Sequence, residues 1–366
     1  MTEPSPSPSR PATKGRGAVS NDDSARFNVP GRTPDGDWLD AREAIDGKLQ
    51  KLRTEVTIEY PKSILSFNNS PDLPFDRSIN AYRGCEHGCV YCYARPTHAY
   101  HDLSPGQDFE TQLFAKPDAA MLLRRTLAKP KYRPAPIAIG TNTDPYQPVE
   151  KRYLITRSIL EVMLETSHPI GITTKSDRIL DDIDFLAELA SQQLVAVALS
   201  ITTLDKRIAR SLEPRAPSPF KRLAAVKMLS DAGIYVHVNI APVIPGLTDH
   251  EIEAIAAATA RNGATSISTI PLRLPHEVAP LFEEWLDAHF ADRKAKVMNI
   301  VASMRNGRKN DPNFHSRMKG SGPWAALLHK RTALAARKNG LSKGKFKLRT
   351  DLFIRPVMPG SQMELF

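Results

Sequence analysis

Cys85, Cys89 and Cys92 are the only cysteines in this 366-residue chain, and all lie in one stretch, Arg83-Gly84-Cys85-Glu86-His87-Gly88-Cys89-Val90-Tyr91-Cys92-Tyr93. Thiolate is a soft ligand, so a C-x-x-x-C-x-x-C spacing on one short loop can hold three irons of a cubic [4Fe-4S] cluster. The fourth iron then stays open to a substrate or cofactor, and an open iron implies reactivity. Zinc is the competing reading, with His87 or His98 completing a Cys3His set. A structural finger, however, usually brings two spaced ligand pairs, and here there is one group. A disulfide framework fits less well, because three is an odd number and no apolar signal segment precedes the cysteines; the thiols are expected in a reducing compartment.

The same residues carry a resemblance. Cys85, Cys89 and Cys92, with the aromatic Tyr91 just before the third cysteine, resemble the signature of the radical S-adenosylmethionine (SAM) enzymes. The longer run from Gly84 to Ala94, together with Thr174-Lys175-Ser176, is similar to the spore photoproduct lyase branch and its bacterial relatives. The resemblance covers roughly Ser70 to Pro275. It implies two cofactors, a [4Fe-4S] cluster and SAM, whose amino and carboxylate groups chelate the open iron. One electron from a cellular donor then splits a carbon–sulfur bond, leaving methionine and a 5'-deoxyadenosyl radical that takes a hydrogen atom from substrate.

The resemblance also distributes roles. Cluster ligation falls to Cys85, Cys89 and Cys92, and Tyr91 packs against the adenine. Many members have a Gly-Gly-Glu motif after the second strand that receives the methionine amino group. Here Thr141-Asn142-Thr143-Asp144-Pro145-Tyr146 stands in its place, making Asn142 and Asp144 the candidates. Lys175 is expected to neutralise the SAM carboxylate, helped by Ser200, with Arg215 a second candidate, because a confined anion needs a cation or several donors. Spore photoproduct lyase returns hydrogen through an additional cysteine that this chain lacks. Tyr146 or Tyr235 is therefore expected to supply a phenolic hydrogen.

Such a site needs a parallel sheet to carry it. Strands are expected at Ser78–Tyr82, Pro136–Thr143, Ile170–Lys175, Leu194–Thr202, Ile234–Ala241 and Thr265–Ile270, with amphipathic helices between them. Thr248 and Glu251 read as a capping box for a helix that stops at Asn262-Gly263, and Pro219–Ala232 ends at Gly233. Six strand–helix units match the partial (βα)6 TIM-type barrel of the radical SAM kind, although a doubly wound sheet or part of a complete eight-stranded barrel would give the same count.

Side-chain parity sharpens this. Ile137 and Ile139 oppose Ala138, Gly140, Asn142 and Asp144; Ile170 and Ile172 oppose Gly171, Thr173 and Lys175. Ser200 and Thr202 share a face with Ala196 and Ala198, and Tyr235, His237 and Asn239 alternate with Ile234, Val236, Val238 and Ile240. One face should meet helices, the other a cavity with polar groups.

The remaining sequence suggests appendages. Residues 1–68 are rich in Pro, Ser and Gly and are expected to be a largely irregular, disordered leader, with only Asp40–Lys51 faintly helical. Residues 69–291 form the expected core and 292–366 a basic extension. Between Arg293 and Arg349 there are 16 Lys and Arg against one acid, Asp311; that segment carries +15 while the rest nets −5 within a chain total of +10. A local excess of this size is expected where a protein meets a polyanion.

The last residues, Gln362-Met363-Glu364-Leu365-Phe366, resemble the peptides with which bacterial polymerases and repair proteins dock on the sliding clamp. No apolar run approaches the roughly 20 residues that span a bilayer, so no membrane role is expected and the chain reads as cytoplasmic. The expected function is hydrogen abstraction from a nucleic acid, DNA lesion repair foremost. Radical modification of RNA or a polypeptide is one alternative, and a non-catalytic iron–sulfur nucleic-acid-binding protein another.

Overall fold

The structure is a computed structural model that describes residues 13, 15–27, 53–341 and 346–358. Its strands are β1 (Glu55–Ile58), β2 (Leu65–Phe67), β3 (Arg77–Ile79), β4 (Tyr82–Arg83), β5 (Gln112–Ala115), β6 (Ile137–Ile139), β7 (Ile170–Thr174), β8 (Val195–Ser200), β9 (Tyr235–Val243) and β10 (Ser266–Pro271). One sheet has the order β10-β9-β8-β7-β6-β3-β2. Its first six strands are mutually parallel, and β2 alone runs antiparallel against β3. Six parallel strands in strict chain order, each joined to the next by a helical crossover, make the expected partial (βα)6 barrel.

Register explains why this sequence closes that way. Ile139, Ile172, Val197 and Val236 form one row across four strands. All four are at most 1% exposed beneath the helices. Each β-branched side chain so covered contributes roughly 1.5–3 kcal/mol. The next rows, Ala138-Gly171-Ala196-Tyr235 and Thr173-Ala198-His237-Ser266, point to the opposite face, where residues are small or polar and mostly half-buried. His237 spans Ser266 Oγ (2.7 Å) and Ser268 Oγ (2.9 Å), and Ser268 donates to Asn239 Oδ1 (2.9 Å). The inner wall is therefore a hydrogen-bonded polar lining, as parity indicates.

The outer layer comprises α1 (Ala119–Leu127), α2 (Ile155–Glu165), α3 (Ile183–Ser191), α4 (Pro219–Asp231) and α5 (Ile252–Arg261). Beyond them come α6 (Val278–Phe290), α7 (Lys294–Ser303) and α8 (Gly322–Lys338). α4 is capped by Ser218, whose hydroxyl accepts from Lys221 N, and stops before Gly233 at φ +77°. The capping box expected at Thr248 does not form. Thr248 Oγ1 accepts from Ile244 N (2.9 Å), while Glu251 reaches away to accept from Leu204 N (2.7 Å) and Thr203, bracing the turn after β8.

Other expectations also shift. The stretch expected as one strand over Ser78–Tyr82 is divided: β3 ends at Ile79, and Tyr82–Arg83 pairs antiparallel with β5 in a second sheet of order β1-β5-β4. β6 is only three residues long because Gly140 turns at φ +85°, where any Cβ would lie 2.0 Å from Thr173 O. The segment expected as an irregular leader contributes β1 and β2, and residues 15–27 pack on the core; Asp40–Lys51 lies outside the described residues. The basic stretch is likewise folded in part. α8 packs beside α5 and β10, with Thr269 and Thr332 hydroxyls 2.9 Å apart.

Residues 346–358 cross the amino-terminal end of the sheet: Arg349 N donates to Gln193 O (3.1 Å) and Ile354 N to Thr166 O (2.8 Å). Arg355 binds the carbonyls that end α1. Gln362–Phe366 lies outside the described residues. Among the described residues no helix is long and apolar enough to cross a membrane.

Candidate functional site

The cysteine loop follows β4 and is fixed by close backbone packing. Gly84 adopts φ +72°, and a Cβ there would stand 2.5 Å from Leu113 Cδ2 and 2.9 Å from Phe109 O. Gly88 adopts φ +68°, with Glu110 Oε2 2.7 Å from any Cβ. Glycine is needed at both turns. Cys85 N donates to Phe109 O (2.8 Å) and Val90 N to Leu212 O (3.1 Å). Gln147 grips the loop from both sides, accepting from Glu86 N (2.9 Å) and donating to Gly84 O (3.1 Å). Arg95 Nε holds Cys89 O (2.9 Å).

Cys85 and Cys89 are buried and Cys92 is half-buried. Burial pushes the Cys85 thiol well up, and Asp144 and the neighbouring thiols add to this. Burial likewise pushes Cys89 up to about 12, with Glu213 adding and Lys175 opposing. Thiols in so dry a place as those of Cys85 and Cys89 need a cationic partner to become thiolates, which iron supplies. The donor set fits an iron–sulfur cluster.

The histidines weighed as zinc ligands have other partners. His98 Nε2 is 2.8 Å from Gln112 O, with its ring against Phe109 and Phe114; His87 Nδ1 is 3.3 Å from Asp144 Oδ2. Among the described residues no three His, Cys, Asp or Glu side chains converge on a point that would hold one metal ion.

Around the loop, Tyr91 and Lys175 are brought together, and Ser200 ends the strand next to that of Lys175. Tyr91 is buried and donates its phenol to Glu213 Oε1, with Thr202 Oγ1 3.3 Å away. Lys175, just past β7, places Nζ 5.8 Å from the Tyr91 ring centroid. Burial alone would lower the Lys175 pKa, but Cys89 and Glu213 raise it, so the ammonium stays charged. Sequence reasoning missed the group that organises this arrangement. Glu213 is fully buried, paired with Arg222, and accepts from Thr202 Oγ1 (2.8 Å); Arg222 also donates to Ser200 O (3.1 Å) and Pro217 O (2.9 Å). A buried acid and base nine residues apart around Pro214 and Pro217 were the only signal.

The other expected residues take different places. Asp144 accepts from Thr174 Oγ1 (2.6 Å), Lys175 N (2.7 Å) and Tyr146 N (2.9 Å) as well as facing His87. Burial would raise its pKa, yet His87 and these donors hold it at about 2. It ties β6 and β7 to the cysteine loop, so most of its acceptor capacity is used within the protein. Asn142 remains half-buried at the end of β6, its backbone N on Asn80 Oδ1 (3.0 Å).

Arg215 does not face the pocket as a free cation. It pairs with the buried Glu86 (2.9 Å) and its N donates to His87 O (3.3 Å), so it clamps the outside of the cysteine loop. Tyr146 donates its phenol to Asp182 Oδ2 (3.1 Å) within the core between sheet and helices. Tyr235 opens β9 at the far end of the sheet, stacked on Phe346 with centroids 4.3 Å apart. Neither tyrosine is brought to the cysteine loop.

At the mouth stands Tyr93, 47% exposed, with the Arg273 guanidinium 4.9 Å over its ring. Arg273 follows β10, so this contact joins the last strand of the barrel to the loop that follows the first. Beside it Arg317 lies 4.9 Å over exposed Phe314 and pairs with Asp72 (2.6 Å).

Residues 79–258 match the radical SAM superfamily. The chain is 40% identical over 220 residues to an uncharacterized protein of Mycobacterium tuberculosis, covering 60% of this chain and 65% of that one, and 32% identical over 173 residues to an uncharacterized protein of Methanocaldococcus jannaschii, covering 47% and 62%. The chain thus spans less than two thirds of the length of these curated relatives. In fold it is similar to a point mutant of spore photoproduct lyase, with TM-score 0.57 and 14% identity over 83% of this chain and 92% of that one. A further spore photoproduct lyase variant, with bound AdoMet and dinucleoside spore photoproduct, gives TM-score 0.56 at 13% identity, covering 83% and 91%. The cysteine triad at the carboxyl end of a six-stranded partial barrel thus lies within the stretch, residues 79–258, that matches the radical SAM superfamily.

Proposed function

We propose that the chain is a radical SAM enzyme in which Cys85, Cys89 and Cys92 each hold one iron of a [4Fe-4S] cluster and the fourth iron receives SAM. Bound there, the two cofactors supply one electron and a 5'-deoxyadenosyl radical able to take a hydrogen atom from a substrate. The chain's own residues do the rest. Lys175 offers a half-buried ammonium to the SAM carboxylate, with Ser200 at the end of the neighbouring strand. Tyr91, its phenol fixed by Glu213, holds its ring immobile for the adenine. Asn142 is the polar side chain left at the end of β6 for the methionine amino group.

The observation that carries this reading is the placement of the Lys175 ammonium over the Tyr91 ring, within electrostatic reach of Cys89. This half-buried ammonium makes no ion pair among the described residues, and a charge-assisted contact with an anion would stabilise it. An anion is expected to complete it. Anaerobic reconstitution followed by reduction with SAM tests the reading; 5'-deoxyadenosine should form.

The substrate we propose is nucleic acid, with DNA lesion repair the leading role. The mouth supports it, since Tyr93 and Phe314 each lie under an arginine, and Arg308 and Lys319, close to Phe314 in the chain, are exposed. Gln362–Phe366 would join the enzyme to a sliding clamp, and a cellular one-electron donor would serve the cluster. Modification of RNA or of a polypeptide is the competing reading. Binding to damaged DNA, tRNA and an acidic peptide across a salt series separates them, because phosphate contacts give a steep linear salt dependence.

A further inference from the structure

Residues 16–20 run against the back of the cysteine loop. Gly17 lies so close that a Cβ would stand 1.7 Å from Gly88 O, 2.9 Å from Gly88 C and 3.2 Å from Val90 N. Two backbone amides of this segment, Gly17 N and Ala18 N, donate to the Glu110 carboxylate at 3.1 and 2.9 Å. Glu110 is paired at 2.5 Å with Arg95, and neither side chain is exposed at all. Arg95 in turn holds Cys89 O.

The contact is extensive. Ala18, Val19 and Ser20 are at most 7% exposed, and a Cβ on Gly106 would sit 2.3 Å from Ser20 O. Farther along, Arg26 binds Glu277 (2.6 Å) and Pro96 O (2.7 Å), fixing the segment to α6 and to the turn after Cys92.

We infer that the segment Arg16–Ser20 is part of the cluster site: it positions the Gly88–Cys89 backbone through Gly17 and the Glu110–Arg95 pair, and it walls the cluster off from solvent on that side. The inference rests on the assignment of the cluster to Cys85, Cys89 and Cys92. The physical argument is that a buried ion pair is stable only when its remaining hydrogen-bond capacity is filled, and here the donors that fill it come from the segment. Displacing Gly17 therefore leaves Glu110 short of partners, frees Arg95 from its geometry, and loosens the carbonyl of a cluster ligand.

Gly17→Val in the full chain tests this. Wild-type and variant proteins are reconstituted anaerobically, and loss of the cluster to an iron chelator is followed by visible absorbance. The variant should release iron at least tenfold faster at a temperature where circular dichroism shows its apo form, though less stable than wild type, to remain folded. Glu110→Gln, which keeps the side-chain shape, should also accelerate release. Release rates for both variants within twofold of wild type would overturn the inference. A wild-type chain that takes up no iron and sulfide would instead overturn the cluster assignment, so the two failures are distinguishable.

Discussion

Lys175 Nζ stands 5.8 Å from the centroid of the Tyr91 ring, and no carboxylate among the described residues pairs with it. The two side chains reach one another from different strands' ends, and both answer to Glu213: Tyr91 by donating its phenol, Lys175 by electrostatic attraction. Such an arrangement leaves the half-buried Lys175 for a ligand while the buried cation, Arg222, is neutralised by Glu213.

Lys175→Met should therefore weaken SAM binding without unloading the cluster. Charge-assisted hydrogen bonds contribute about 1.5–3 kcal/mol, so the Kd should rise by roughly 10- to 100-fold. Equilibrium dialysis with reconstituted protein measures the Kd, and iron analysis checks the cluster. An unchanged Kd would remove Lys175 from the site.

Arg222→Met should be strongly destabilising, since it leaves Glu213 buried without its cation. Breaking one partner of such a pair costs about 3–5 kcal/mol. Urea unfolding of apo-protein measures this. The double variant Arg222→Met, Glu213→Gln should recover part of the loss, because no unpaired charge remains.

Glu150 gives a pH dependence. Burial raises its pKa to about 7, against the hydrogen bonds from Tyr82, Thr156 and Arg157 that favour the anion. The folded state thus holds this proton where the unfolded state has released it, between the ordinary value of 4.5 and about 7. Stability from this group is present below 4.5 and is lost as pH rises through 7, a change on the order of 3 kcal/mol. Glu150→Gln should flatten the pH profile of the thermal midpoint across that window, and a slope equal to wild type would assign the dependence elsewhere.

Arg273→Ala should lower affinity for single-stranded DNA and reduce the slope of log K against log salt by about one, if the guanidinium over Tyr93 meets a phosphate. Fluorescence anisotropy across a salt series checks it. An unchanged slope would mean that Arg273 serves only to close the barrel mouth.

The sequence displayed the sheet more clearly than the site. Ile139, Ile172, Val197 and Val236 alternate with small or polar residues, and period-two patterning is a local property that survives into the fold. The cysteine spacing was equally legible, because a motif on one loop needs no tertiary information. Partner choice for charged groups was not. Arg215 and Asp144 are spent on Glu86 and on the ends of β6 and β7, and whether a charge faces a pocket or a neighbour depends on contacts distant in sequence. Tyr235 was placed by parity on the correct face but at the wrong end, since alternation carries no information about depth along a strand. The Gly17–Gly88 contact joins segments far apart in the chain, and nothing in a Pro/Ser/Gly-rich stretch announces it.

We propose an iron left open by the three cysteines Cys85, Cys89 and Cys92. Anaerobically reconstituted, reduced protein should contain about four iron and four sulfide per chain, and its electron paramagnetic resonance spectrum should change when SAM is added. The same sample should accumulate 5'-deoxyadenosine. Bound zinc in place of iron, or a full cluster whose spectrum is indifferent to SAM, would contradict the account.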